Sequence, residues 1–218
     1  MMDGLDFKIA APKLPNLSLG SVETPTTGVT LEAIQIDEPD WTAASAKRAT
    51  FDTIVANRAD LTRAVLRDTG WQDVRFNGGQ ASGADLTAAS WRRLEFIDVR
   101  ASGLVMAEAD IRDIVFRNAK LDLANFRFCH LARVLFDNCL LVDADFGGAQ
   151  LDHVSFVGCD LAQADFSGAR LARVDLRSSS MSTIKGVAGL KGAKITTAQL
   201  MALAPSLAAE LGLNVDDS

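Results

Sequence analysis

Residues 156–176 read FVGCDLAQADFSGARLARVDL. Their large apolar residues are Phe156, Leu161, Phe166, Leu171 and Leu176, one in every five. A helix returns to the same face every 3.6 residues and a strand every 2, so neither explains this spacing. A fixed period over a long stretch is the mark of a repeat architecture, and the frame does run far beyond these residues. From Phe51 to Met181 every fifth residue is Leu, Phe, Trp, Met or Ile, except for Ala56, Ala81 and Ala101. We call this position the centre. Two residues before it stands a mostly small residue, as at Ala64, Ala84, Ala124, Ala144, Ala164 and Ala169. The three positions between are mostly Asp, Asn, Arg, Gln, Ser or Gly.

The unit is therefore A-[D/N]-[L/F]-x-x. Stretches such as GADLT, DADFG, QADFS and GARLA resemble the pentapeptide-repeat proteins across residues 49–184, and more weakly across 29–48. The resemblance implies a right-handed square β-helix with one pentapeptide on each face and four in each coil.

A second period tests the coil without the resemblance. Positions 54, 74, 94, 114, 134, 154 and 174 read Ile, Val, Leu, Ile, Val, Val, Val, whereas 64 to 164 read Ala, Ala, Leu, Ala, Ala, Ala. Bulk thus repeats every twenty residues. Phe76, Phe96, Phe116, Phe136 and Phe156 form one column, and Phe126, Phe146 and Phe166 form another, ten residues away and so across the bore. Leu columns, with Leu121, Leu141 and Leu161 or Leu131, Leu151 and Leu171, fill the other two sides. The expected fold is all-β: a right-handed quadrilateral β-helix of about eight coils. At ~4.8 Å per coil the rod is roughly 35–40 Å long. Gly78, Gly83, Gly103, Gly148, Gly158 and Gly168 lie two residues after a centre, where a corner calls for positive φ. Asn118, Asn138, Asp98 and Asp113 are the next-best residues there.

The chain divides accordingly. Residues 1–28, with Pro12, Pro15 and Pro25, are expected as a flexible N-terminal tail. Residues 29–48 form a degenerate first coil and N-terminal cap, 49–195 the β-helix, 196–213 a helical C-terminal cap and 214–218 a tail. In the cap Leu200, Leu203, Leu207 and Leu211 recur at helical spacing. Thr197 is placed to cap one helix, Pro205 to start a second and Gly212 to end it. This face would cover the open last coil; the alternative use is a homodimer contact.

Composition narrows the function. The net charge of −6 disfavours direct nucleic-acid binding. No apolar run reaches the ~18 residues of a membrane span, and the N-terminus lacks signal-peptide order, so the expected location is cytoplasmic. Three cysteines without a CxxC pair argue against disulfides and zinc. Cys129, Cys139 and Cys159 take the small inward position and read as core. His130 and His153 map outward, and no nucleophile elbow, P-loop or zinc-protease motif is present. No catalytic, metal or cofactor residues are assigned, and a bore filled with side chains offers no cleft. The expectation is a non-enzyme without cofactor.

Function then falls to the outer wall. Asp85, Asp145 and Asp165 align on one face, with Asp143 near its corner and Asp160 on the adjoining face. Some pentapeptide-repeat proteins protect DNA gyrase from quinolones, and the resemblance implies carboxylates mimicking duplex phosphates. Against this, residues 49–184 hold 18 acidic and 15 basic residues, leaving the rod only −3. A second candidate surface is apolar: Val115, Leu135 and Val157 on one face, Leu140 and Val142 on the next, Leu123 and Phe128 at corners. The leading expectation is a non-catalytic interaction module or scaffold for an unidentified protein partner. The alternative is a DNA mimic that binds a type II topoisomerase.

Overall fold

A computed structural model describes residues 5–21 and 23–214. Nine strands lie in one parallel sheet, each beside the next in sequence. They are β1 (Ser18–Gly20), β2 (Thr30–Asp37), β3 (Thr50–Asp60), β4 (Gly70–Gln80) and β5 (Ser90–Ile97). There follow β6 (Asp110–Arg117), β7 (His130–Asp137), β8 (Gln150–Val157) and β9 (Arg170–Asp175). From β2 to β9 the ladder pairs each residue with the one twenty ahead, as in Ile34↔Ile54 and Phe116↔Phe136. The chain is thus a right-handed β-solenoid of about eight turns. Residues 29–48 pair in the same register as the rest, with Thr30 opposite Thr50.

We number the four faces by the centres 51, 56, 61 and 66. Strands β2 to β9 run through the first and second faces. The third and fourth are joined by single bridges between coils, such as Leu140↔Asp160 and Asp145↔Asp165. On these two faces each corner is a β-turn: the N–H of Ala64 donates to the carbonyl of Leu61 at 2.9 Å, and Ala124 repeats this on Leu121. The third residue of such a turn needs positive φ. That residue lies two after a centre, and the rule holds on all four faces: Asn118 has φ 51° and Gly148 φ 67°.

The bore is packed with buried side chains. Phe116, Phe136 and Phe156 stack at 5.0 and 4.9 Å, and Phe126, Phe146 and Phe166 at 5.0 Å in both steps. The two columns meet edge-to-face across the bore at 5.8–6.5 Å. Both geometries are favourable for aromatic quadrupoles.

Both ends differ from the sequence reading. Residues 5–20 do not hang free. They lie along the corner between the first and second faces, and β1 adds to the open edge of β2, with Ser18 opposite Ile34. At the other end one helix, α1 (Thr197–Glu210), replaces the expected pair. Its N-cap is Thr196, not Thr197; its side chain accepts from the Gln199 N–H while Gln199 bonds back, a capping box. Pro205 sits inside the helix rather than at a start. The N–H it lacks would have met the Met201 carbonyl, and both residues are exposed on the solvent side of the helix. Leu203 is buried and Leu207 half-buried against Val187, Leu190, Ala193 and Ile195. Gln199 Nε2 donates to the carbonyls of Leu176 and Ser179 at 2.7 and 2.8 Å, closing part of the last coil's open edge. Leu200 and Leu211 stay exposed, so only half of the apolar stripe serves the cap.

Candidate functional site: the outer wall

The wall is built from three positions of each repeat. The residue before the centre is often Asp, and its first task is local. Asp85, Asp145, Asp160 and Asp165 each accept the N–H two residues on, from Thr87, Gly147, Ala162 and Ser167, at 2.7–3.1 Å. These are Asx-turns that secure the corner. The spare lone pairs then meet cations. Asp85 pairs with Arg67 at 2.5 Å, Asp145 with Arg127 at 3.1 Å and Asp143 with Lys185 at 3.3 Å. Burial pushes the Asp85 carboxyl up, but Arg67 and Thr87 more than offset it and hold it below the usual carboxylate range. Burial also opposes ionisation at Asp165, where the Ser167 hydrogen bonds prevail and lower it. Four of the five candidate acidic residues, Asp143, Asp145, Asp160 and Asp165, gather on two neighbouring coils. Asp85 stands three coils away in the same column as Asp145.

The apolar candidates separate into three places. Val115 and Leu135 are neighbours in one column, as expected, but they are not a free surface. Ile9 covers them, and all three are buried, with Leu5 and Phe7 packed against the group. An outward apolar pair needs cover, and the chain's own N-terminal segment supplies it. Val157 lies in the next column, opposite Asp137, and is exposed. Leu123, Leu140 and Val142 come together on the third face: the N–H groups of Leu121 and Leu123 donate to the carbonyls of Leu140 and Val142 at 2.7 and 2.9 Å. Phe128 stands at the next corner of the Leu123 coil, with the Arg127 guanidinium 5.1 Å from its ring centroid. Its ring lies over Gly148, where an added Cβ would come within 2.5 Å of it.

Leu123 is 63 % and Phe128 59 % exposed. Both hold left-handed backbone, φ 58° and 57°. Such a conformation costs a residue with a Cβ about 1–2 kcal/mol. The rim around them is the acidic group just described.

The remaining candidates are structural. Cys129, Cys139 and Cys159 are buried and free. Burial pushes the Cys129 thiol up to about 12, so it holds no thiolate at neutral pH. His130 lies beside Asp110, and His153 packs edge-on against Phe7. A cavity of about 280 Å³ under α1 is lined by apolar groups such as Val187, Leu190, Ile195 and Leu203. Among the described residues no helix is long and apolar enough to cross a membrane.

The N-terminal segment escaped the sequence reading. Its signals were Phe7 and Ile9 just ahead of Pro12 and Pro15, and two apolar residues, Val115 and Leu135, at outward positions.

A family model described as a pentapeptide repeat region matches residues 69–146 and 129–200. Among solved structures, HetL from Nostoc sp. strain PCC 7120, a pentapeptide repeat protein involved in heterocyst differentiation regulation, is 19% identical with a TM-score of 0.42. The match covers 79% of this chain and 89% of HetL. A trypsin-treated variant of QnrB1, a plasmid-mediated fluoroquinolone resistance protein, is 23% identical over 88% of this chain and 100% of that one, with a TM-score of 0.35. A search of curated proteins found no significant match.

Proposed function

The chain belongs to the pentapeptide-repeat family, and from that premise we propose that it is a non-catalytic binding rod whose protein partner docks on the third and fourth faces. The observation that carries this is the pair Leu123 and Phe128. Two large apolar side chains are held exposed in a strained conformation on one coil. The other left-handed corners at this position hold Gly, Ala or a polar or charged residue, as at Gly83, Ala88, Asn138, Gln163 and Arg63. Stability alone gives no reason for Leu and Phe there; an anchoring contact does. Leu140 and Val142 extend the apolar centre, and Asp143, Asp145, Asp160 and Asp165 form its rim. The partner this surface suits has an apolar pocket edged with Lys or Arg.

The test is the double variant Leu123→Asn/Phe128→Asn. Asn tolerates left-handed backbone, so thermal unfolding should be unchanged or shifted upward. Proteins captured from native-host extract by the wild type should be lost by the variant. Equal capture by both would overturn the reading.

The alternative, a duplex mimic acting on a type II topoisomerase, draws on the stacked carboxylates Asp145 and Asp165. Arg67, Arg127 and Lys185 interrupt that acidic field. Gyrase supercoiling with and without quinolone separates the two: the interaction-module reading expects no effect at micromolar protein.

A further inference from the structure

In a solenoid an outward side chain is solvated unless something lies on it. Val115, Leu135, Ala132, Ser155 and Asp73 all point outward from the first and second faces, yet all are buried. Val115, Leu135 and Ser155 share one column, and Ala132 is its neighbour on β7. The segment 5–17 lies on Val115, Leu135 and Asp73.

The fit between segment and groove is periodic. Phe7 packs on His153, with ring centroids 5.6 Å apart. The Ala10 N–H donates to Asp113 Oδ1 at 3.2 Å, and the Lys13 N–H to Asp73 Oδ1 at 2.9 Å. Residues 7, 10 and 13 thus meet 153, 113 and 73: three residues of segment for every two coils. Three residues of polyproline II span about 9.3 Å. Two coils span about 9.6 Å. Pro12 and Pro15 favour that extended form, and neither stands where an N–H is used.

The acceptors are set independently of the segment. Arg93 grips both oxygens of Asp73 at 2.7 Å, and Arg133 grips both of Asp113 at 2.7 and 2.6 Å. Each carboxylate is thereby oriented with a lone pair left for a backbone donor. Ile9 is the one buried side chain of residues 5–17 and clusters with Val115 and Leu135, apart from the bore. The core of the rod is complete without it.

We propose that the corner between the first and second faces is a peptide-binding groove, and that residues 5–17 occupy it in cis as a displaceable ligand. It takes an extended segment with an aromatic and an aliphatic anchor two residues apart, then two free N–H groups three residues apart with proline between them. Lys194, which pairs with Asp6, adds a preference for an acidic residue ahead of the aromatic one. The site is separate from the Leu123–Phe128 surface and does not depend on it. Tethering gives the resident segment a millimolar effective concentration, so few contacts keep it docked while a partner with matched anchors can compete.

The test uses the full chain and a labelled peptide, LDFKIAAPKLPNL. Ile9→Asp should open the groove, and the peptide should bind that variant saturably. Its apparent affinity for the wild type should be weaker by roughly ten- to hundredfold, because the groove is occupied. Adding Leu135→Asp to the open variant should abolish binding, as should Asp in place of Ile9 in the peptide. Phe7→Asp, which leaves Ile9 in place, is the second opening variant. No saturable binding to either opened chain, or equal binding to wild type and variants, overturns the proposal. A wild-type dimer that Ile9→Asp dissolves also overturns it, by assigning the segment to a second copy.

Discussion

Thr69 shows how closely a single residue is tied to its column. Positions 49, 89, 109, 149 and 169 in the same column are Ala. Thr69 breaks the pattern because Trp71 lies beside it: the indole Nε1–H donates to Thr69 Oγ1 at 2.8 Å, and that hydroxyl donates to the Leu66 carbonyl at 2.6 Å. One coil later Trp91 faces Ala89, and its Nε1 has no partner among the described residues. A buried donor left unmade costs about 1–3 kcal/mol. Thr69→Val keeps the volume and removes the acceptor, so urea unfolding should show a loss of about that size. Ala89→Ser should move the other way by supplying Trp91 with an acceptor. A neutral Thr69→Val would mean that the indole proton is satisfied otherwise. At this scale the sequence was most readable for centres and corners, since five residues decide which way each side chain points. It was least readable for the wall aspartates. Asp85, Asp145 and Asp165 read as a binding face, whereas each is first the acceptor of its own turn. A carboxylate's local bond and its long-range charge are indistinguishable in a string of letters.

Among the elements, β2 to β9 were legible because each repeats the register of the one before. The N-terminal segment was not, for a physical reason: its period of three matches the spacing of alternate coils and has no counterpart in the five-residue frame. Pro205 misled for a related reason. Proline costs a helix one hydrogen bond and a ring clash wherever it sits, and in α1 the packing of Leu203 and Leu207 on the last coil carries the helix past it. The segment's docking carries a pH signature. Burial pushes the Asp73 carboxyl up, but the Arg93 fork and the Lys13 N–H outweigh it and leave the group below its usual range. At Asp113 burial is outweighed in the same way by Arg133 and the Ala10 N–H. Free Asp titrates near ~3.9. A lowered native value means that the unfolded chain binds protons more readily, so this stabilisation is complete above about pH 5, declines as pH falls through the unfolded value and is lost below the native values. Between about pH 5 and 3 the melting temperature of the wild type should fall more steeply than that of Asp73→Asn/Asp113→Asn. Parallel curves would show that the two carboxylates contribute nothing to acid sensitivity.

For the whole molecule the decisive question is cooperativity. A solenoid touches itself only between neighbouring coils, so its stability is a sum of local terms and it frays from its ends. Here the segment 5–20 adds contacts that skip coils. It pairs with β2 through β1, then meets Asp73, Asp113, the Val115–Leu135 pair, His153 and finally Lys194, beyond β9. One strap thus joins the first coil to the last. Opening the C-terminal coils costs the strap contacts at that end as well as the local ladder, and loosening the strap frees both ends together. Unfolding of the wild type in urea should therefore be a single sharp transition. In Ile9→Asp the strap is released while the bore is untouched, so the array returns to nearest-neighbour behaviour. Its transition should broaden, with a lower apparent m-value, a loss of two-state character rather than of core area. Amide exchange should locate the change. Residues 170–214 should exchange faster in the variant, while the coils that carry the Phe116, Phe136 and Phe156 column should keep their protection. An unchanged m-value and exchange pattern would mean that the rod is cooperative through its ladder alone and that the strap only covers Val115 and Leu135.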